Sequence, residues 1–261
     1  MNSKKGDDVM DIRNQIAQLK HWYDTPLGQQ TLVLERAMLE KAVSQVQGHR
    51  LLQVSLDGRR WFCEHARAKH GVLLAPQVEL GMESNTLIAM PEELPVQSAV
   101  IDILVLHHAL EFSADPHQVL REAARVLRPG GTLIMLNFNP HSLMGLHALF
   151  RRREMAPFNG QPLAVGRLHD WFRLLQLSAL QTRSKGYDYP LESERWRRRL
   201  SWLGPLVRLL PGHSGNLILM TARKDVAGMT PLRPEWNRRL LGGLQVIESK
   251  AGTSGIRRNQ S

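Results

Sequence analysis

Residues 96–138, VQSAVIDILVLHHALEFSADPHQVLREAARVLRPGGTLIMLNF, constrain this chain more than any other stretch. Val100 to Leu106 is a continuous apolar run broken only by Asp102, the pattern of a strand covered on both faces. Pro116 stands near a helix start, behind Asp115 as an N-cap. Val119, Leu120, Ala123, Ala124, Val126 and Leu127 then recur at helical spacing. Arg128-Pro129-Gly130-Gly131 ends that helix, because proline cannot continue it and glycine permits the reversal. Thr132–Phe138 is the next strand. A strand–helix–strand unit of this length demands a parallel pair, and therefore an α/β sheet with helices on both faces.

The rest of the chain extends the pattern. Asp11–Gln47 reads as one or two helices, with a stripe at Ile12, Ile16 and Leu19. A second stripe of Leu32, Leu34, Met38, Leu39, Val43 and Val46 follows the break at Asp24-Thr25-Pro26-Leu27-Gly28. Strands are expected at Leu51–Leu56, Val72–Ala75 and Thr86–Met90, and a helix at Trp61–Lys69. Beyond Phe138 a helix is expected at Leu168–Leu175, a weaker strand at Leu177–Ser184 and a closing strand at Asn216–Ala222. The expected organisation is a helical segment over 1–47, a sheet domain over 48–224 with an insertion near 186–211, and a flexible basic tail over 225–261.

The ordered residues Glu92, Leu94-Pro95, Ile101-Asp102, His108, Leu110-Glu111, Asp115-Pro116, Leu120-Arg121-Glu122, Arg125-Val126-Leu127 and Arg128-Pro129-Gly130-Gly131 resemble the second half of a class I S-adenosylmethionine-dependent methyltransferase. The similarity is to the UbiE-like, type 11 domains, which show E-x-L-P, F-D, H-x-L-E-H, D-P and L-R-E-x-x-R-V-L-K-P-G-G in that order. Asn137–Leu146, NFNPHSLMGL, is further similar to a smaller proteobacterial group with such a domain. The resemblance implies a Rossmann-like, seven-stranded, mostly parallel sheet with helices on both faces. It also implies S-adenosylmethionine as cofactor.

The first half departs from the family pattern. Methyltransferases of this kind end their first strand in D/E-x-G-x-G-x-G, where a Cβ would collide with the cofactor. Here Ser55, Asp57 and Arg59 take the glycine positions, and Gly58 lies one place out of step. The acidic residue after strand two is missing, with Glu79 the nearest carboxylate, and Met90 aligns with the aspartate that meets the adenine. The resemblance therefore implies a cofactor lying over Val54, Ser55, Asp57 and Gly58, with the adenine near Met90 and Glu92 and His107 at the end of strand four. Asp57 or Glu79 would serve the ribose. The alternative is a catalytically silent scaffold that binds RNA or a protein partner, since fold alone does not fix function.

Composition sets the outer limits. A chain of 261 residues, 43% of them hydrophobic, is ample for one domain with additions. The single cysteine, Cys63, excludes a disulfide framework and points to a reducing cytoplasm. Met1–Asp11 is polar, without the apolar core of a signal peptide, and no run reaches the roughly 18 apolar residues of a membrane span. Net charge is +10, concentrated in Arg151–Arg153, Arg195–Arg199, Arg223-Lys224, Arg238-Arg239 and Arg257-Arg258. These clusters serve either as a solubilising surface or as a weak polyanion contact. Trp196 and Trp202 among the arginines are placed to pack against the domain, to stack on bases or to sit at a membrane interface.

No catalytic residue is assigned. His107 and His108 end strand four, where a histidine acts as a general base or bonds backbone at the cleft edge. Asn137 and Asn139 orient a nucleophile or cap the following turn. His117, His141, His147, His169 and His213 are too scattered for a metal site, and no metal is expected.

Overall fold

The computed structural model describes residues 2–150, 156–161, 163–186 and 215–226. Its centre is a seven-stranded sheet in the order β3-β2-β1-β4-β5-β7-β6. These strands are β1 (Arg50–Ser55), β2 (His70–Ala75), β3 (Thr86–Ile88), β4 (Ile101–His107), β5 (Leu127–Phe138), β6 (Leu177–Lys185) and β7 (Leu217–Lys224). The first five pair in parallel, and β7 runs antiparallel between β5 and β6. The helices are α1 (Asn2–Tyr23), α2 (Pro26–Val43), α3 (Pro116–Val126), α4 (Leu143–Phe150) and α5 (Val165–Leu174). All seven expected strands form, with ends shifted by up to five residues. The closing strand and the α5 helix start one and three residues from their expected positions.

Alternation along the buried strands makes two cores. One face carries Leu104, Leu106, Leu133 and Met135, under Val119, Leu120 and Ala123 of α3 and Leu168 and Phe172 of α5. The other carries Ile103, Val105, Ile134 and Leu136, under Ile16 and Leu19 of α1 and Leu39 and Val43 of α2. Every residue of β4 is buried, as a central parallel strand requires. The break between the first two helices is built by Thr25, whose hydroxyl accepts from Gly28 N at 3.1 Å, with Pro26 opening α2. A Cβ on Gly28 would stand 2.1 Å from Trp22 O, so only glycine lets the two helices approach this closely.

The helix expected at Trp61–Lys69 does not form. Gln53, buried in mid-β1, takes the chain instead: its Oε1 accepts from Phe62 N at 2.9 Å and from the Cys63 thiol at 3.3 Å, and its Nε2 donates to Arg60 O at 2.6 Å. Three bonds to one buried side chain thereby fix residues 60–63 against β1. The segment then runs beside β1, bridging Gln47 to Arg67. Its apolar residues still go inward, with Phe62 and Cys63 in the core. Burial pushes the Cys63 thiol up to about 12, so it is a packing group and not a nucleophile.

The family motif residues act as fasteners. Arg125 donates to Val96 O at 2.8 Å and Leu94 O at 2.9 Å, while Glu122 accepts from Leu94 N at 3.0 Å. The loop between β3 and β4 is thereby bolted to α3. Asp115 caps α3 by accepting from Gln118 N at 2.9 Å. The expected insertion beyond Gly186, the clusters Arg151–Arg153 and Arg195–Arg199, Trp196, Trp202, His213 and the tail beyond residue 226 lie outside the described residues.

Asp102, the one charge in the β4 run, accepts from His49 N at 2.9 Å and Arg50 N at 2.8 Å and pairs with Arg128. Burial favours its protonated form, but the two backbone N–H groups and Arg128 outweigh that and hold the carboxyl below its ordinary value. A depressed folded-state value contributes stability that is complete above the unfolded value of about 3.9 and is lost as pH falls through the folded one. Asp102→Asn is expected to lower stability by about 2 kcal/mol at pH 7. Denaturant titrations should show the gap to wild type closing as pH drops to 3 and below.

Candidate functional site

The carboxyl ends of the parallel strands form the edge where open α/β sheets take ligands. There the structure brings together five elements around one carboxylate. Glu35 of α2, fully buried, has its Oε2 3.0 Å from His107 Nε2 and its Oε1 3.2 Å from His108 Nε2. Tyr23, the last residue of α1, donates its hydroxyl to the same carboxylate, 3.1 Å from each oxygen. His107 Nδ1 meets Ser55 Oγ at 3.1 Å, at the end of β1. His108 Nδ1 meets Glu111 Oε2 at 3.0 Å, and Glu111 also accepts from Phe138 N at the end of β5.

Consecutive residues of a strand point to opposite faces, so two adjacent histidines should not share a partner. His108 does so because its backbone turns into the left-handed region, φ 52°. A non-glycine residue held there costs about 1–3 kcal/mol, which the surrounding contacts must offset. Its ring stacks on Phe138, centroids 4.0 Å apart, while His107 lies against Phe62 at 4.5 Å.

Charge in the cluster is unevenly shared. Burial opposes a charge on His108, but Glu111 and Glu35 on either side outweigh it and raise the imidazole to about 9. His107 is pushed down by burial, helped by the charge of its neighbour, despite its bond to Glu35. Burial would raise Glu35, yet the charge of His108 and the hydrogen bonds from both rings hold it at about 2.

Next to this cluster lies the loop where glycines were expected. Asp57 is buried, and both of its oxygens are engaged. Oδ1 accepts from Arg59 N and Nε at 2.9 Å each, and Oδ2 from Arg59 Nη2 at 2.9 Å and Arg60 Nε at 2.7 Å. Burial alone would raise its carboxyl, but these bonds hold it far below the usual carboxylate range. Arg60 in turn lies over the Tyr23 ring, 5.1 Å from its centroid. Gly58 is covered by Met82, whose Cε would stand 2.5 Å from an added Cβ. Glu79, four residues past the end of β2, pairs with Lys20 of α1 and with Arg59 at 3.3 Å.

Val54 and Ser55 end β1 as expected, both buried. Met90 lies just past β3 and is 38% exposed; Ile88, two residues before it, is exposed too, and Leu87 is exposed on the other face of the strand. Glu92 turns elsewhere: its Oε1 accepts from the Ser113 hydroxyl at 2.5 Å and Ala114 N at 3.1 Å, fixing the turn before α3. Asn139 caps a turn, its Oδ1 accepting from His141 N at 3.0 Å, whereas both amide atoms of Asn137 are buried without a partner. Glu35 and Tyr23 escaped the sequence reading. The available signal was a glutamate inside the apolar stripe of α2, flanked by Leu32, Met38 and Leu39.

An S-adenosylmethionine molecule carries ribose hydroxyls, an adenine, a carboxylate and a sulfonium. The edge holds groups of matching chemistry: the Glu79 carboxylate and the half-exposed Arg59 guanidinium, now paired with each other, and the exposed apolar side chains of Ile88 and Met90. The methyltransferase-domain family matches residues 55–135. A protein of Escherichia coli K12, the uncharacterized protein YafS, is 34% identical over 227 residues, 83% of this chain and 86% of its own length. Malonyl-[acyl-carrier protein] O-methyltransferase 1 of Coxiella burnetii is 32% identical over 77 residues, 29% of this chain and 27% of its own. Among solved structures, an S-adenosylmethionine-dependent methyltransferase of Thermotoga maritima superposes with a TM-score of 0.55 at 18% identity, covering 74% of this chain and 89% of that one. Residues 55–135 thus carry a methyltransferase domain, on a fold shared with the S-adenosylmethionine-dependent methyltransferases, with no acceptor assigned. The chain belongs to the family of Escherichia coli YafS.

Removing one member of a buried charged cluster leaves the others unpaired, at a cost of about 3–5 kcal/mol. Glu35→Ala is expected to fall in that range. Tyr23→Phe, which deletes only a neutral donor, should cost about 1 kcal/mol. Urea unfolding midpoints of the two variants measure the difference.

Proposed function

We propose that this chain holds S-adenosylmethionine across the ends of β1, β2 and β3 and presents it to an acceptor arriving over β4 and β5. The observation that carries the reading is Glu79 paired with Arg59 beyond the end of β2, with exposed Ile88 and Met90 at the end of the neighbouring strand β3. When bound, the cofactor supplies an electrophilic methyl group on a sulfonium. The protein's part in such a transfer is chiefly positioning, which removes the need for a strong base. In this reading Glu79 exchanges its pairs with Lys20 and Arg59 for the ribose hydroxyls, and Met90 with Ile88 covers the adenine. Arg59 meets the carboxylate, and the backbone of Val54, Ser55 and Gly58 flanks the methionine end. Asp57 does not meet the cofactor, because its oxygens are spent on Arg59 and Arg60, and it holds those two cations in place. His107 positions Ser55, and Glu92 fixes the turn behind Met90.

A second reading, a catalytically silent scaffold, is favoured by two observations: Gly58 lies under Met82, and Asp57 is fully engaged. Calorimetry with S-adenosylmethionine on the full chain separates the two. The methyltransferase reading expects saturable binding, weaker by roughly ten- to a hundredfold in Glu79→Gln, and lost in Gly58→Leu. No heat at millimolar cofactor with the folded wild-type chain would support the scaffold.

Among the described residues no helix is long and apolar enough to cross a membrane. We place the protein in the cytoplasm, where its net charge of +10 favours weak association with polyanions. Filter binding with RNA and with duplex DNA should then fall steeply between low and high salt, because each neutralised phosphate releases counterions. Binding that ignores salt would speak against the electrostatic account.

A further inference from the structure

We propose that Glu35, His107 and His108 form a binding site for a divalent transition metal, zinc in the first instance, which clamps the N-terminal helices onto the sheet. The three side chains offer one carboxylate oxygen and two imidazole nitrogens, all within 4.8 Å of one another and all buried. Two imidazoles with a carboxylate are a donor set that suits zinc and its neighbours better than magnesium or calcium.

The spacing fits. Four-coordinate zinc with bonds of about 2.0–2.1 Å sets its donors roughly 3.3 Å apart. Each Nε2 lies beside its own oxygen of the carboxylate, His107 at 3.0 Å from Oε2 and His108 at 3.2 Å from Oε1, and the three ligand atoms fall within 4.8 Å of one another, so uptake draws the side chains together onto a common centre. Tyr23, its hydroxyl 3.1 Å from both oxygens, holds the carboxylate from the α1 side, and the fourth position on the ion falls to a water. On uptake the ion displaces the protons that the three ligands share, and no redox step is involved.

The outer contacts are those a metal-bound histidine needs. Each ring turns Nε2 toward the shared point and anchors Nδ1 elsewhere, His107 on Ser55 at 3.1 Å and His108 on Glu111 at 3.0 Å. Such partners fix the ring and raise its basicity as a ligand. The left-handed backbone of His108 is the third, independent sign. Strain persists where the arrangement it produces is used, and here it produces two convergent nitrogens from adjacent residues.

The site joins α1 and α2 to the ends of β1, β4 and β5, so an ion there would fix the edge on which the cofactor is proposed to lie. The inference does not rest on that reading, and its test makes no use of methyl transfer.

The full chain, produced without a histidine tag, is stripped with chelator and titrated with Zn²⁺ and with Co²⁺. Expected are one zinc per chain by elemental analysis, a higher thermal midpoint with zinc, and the intense visible bands of four-coordinate cobalt. Glu35→Gln and His107→Ala should each lose the cobalt bands. Glu111→Gln should weaken uptake by roughly 10- to 100-fold. His117→Ala, at a half-buried histidine on α3 away from the cluster, should retain the cobalt bands. Failure of the folded wild-type chain to take up zinc or to show cobalt bands overturns the proposal, whatever the variants do. Stoichiometric metal that survives loss of both Glu35 and His107 overturns it equally.

Discussion

One carboxylate, Glu35, shared by two adjacent histidines, holds the edge of this molecule together. It reaches from α2 across to the end of β4, and through the two rings to Ser55 on β1 and Glu111 beside β5. A buried carboxylate without partners would cost far more than a typical side chain contributes. The helices, the strand ends and the left-handed turn at His108 must therefore be correct together, or the group is stranded. The N-terminal helices are thus tied to the sheet by a polar contact of fixed geometry as well as by apolar packing, which alone would tolerate sliding.

The same logic recurs at the other end of the strands and on one face. Asp102 gathers the N–H groups of His49 and Arg50 with Arg128, and so fixes where β1, β4 and β5 begin relative to one another. Gln53 draws the chain after Arg60 flat against the sheet, in place of the helix that local propensity favours. Buried polar groups demand partners, and that demand outranks a few tenths of a kilocalorie per residue of helix propensity. The family motif residues Glu92, Glu122 and Arg125 are likewise spent on backbone groups of loops. Their bonds brace the loops at this edge of the sheet and say little about any acceptor.

At that edge, charge replaces the missing glycines. Where a glycine loop would bring bare backbone to a ligand, this chain places Arg59 and Arg60 on an inward-facing Asp57 and sets Glu79 against Lys20 and Arg59. A ligand here competes with ion pairs that are already made, so selectivity depends on how readily Arg59 exchanges partners. Close backbone approach survives at Gly58 alone, and there Met82 is the atom to be displaced, a flexible side chain rather than a rigid one.

The period of the apolar residues was enough to determine the sheet. Val100–Leu106 reads as a strand covered on both faces and the stripe from Val119 to Val126 as the helix of a parallel crossover, whereas Leu127, expected to close that helix, opens β5 and Arg128–Gly131 run on as strand. Seven strands and the break before Pro26 follow from such local patterns, because burial is decided by spacing along a single element. The helix expected over Trp61–Lys69 failed because its competitor, Gln53, acts across space. Asp57 and Gly58 were legible as a departure from a motif, but their engagement with Arg59, Arg60 and Met82 was not. The meeting of Glu35 with His107 and His108 lay wholly beyond the sequence. Those residues are 72 and 73 positions apart, and two neighbours on a strand converge only through a backbone twist that no periodicity encodes. Element type is a local balance of spacing and propensity. The site is a three-dimensional coincidence of side chains, and only the packed tertiary structure could decide it.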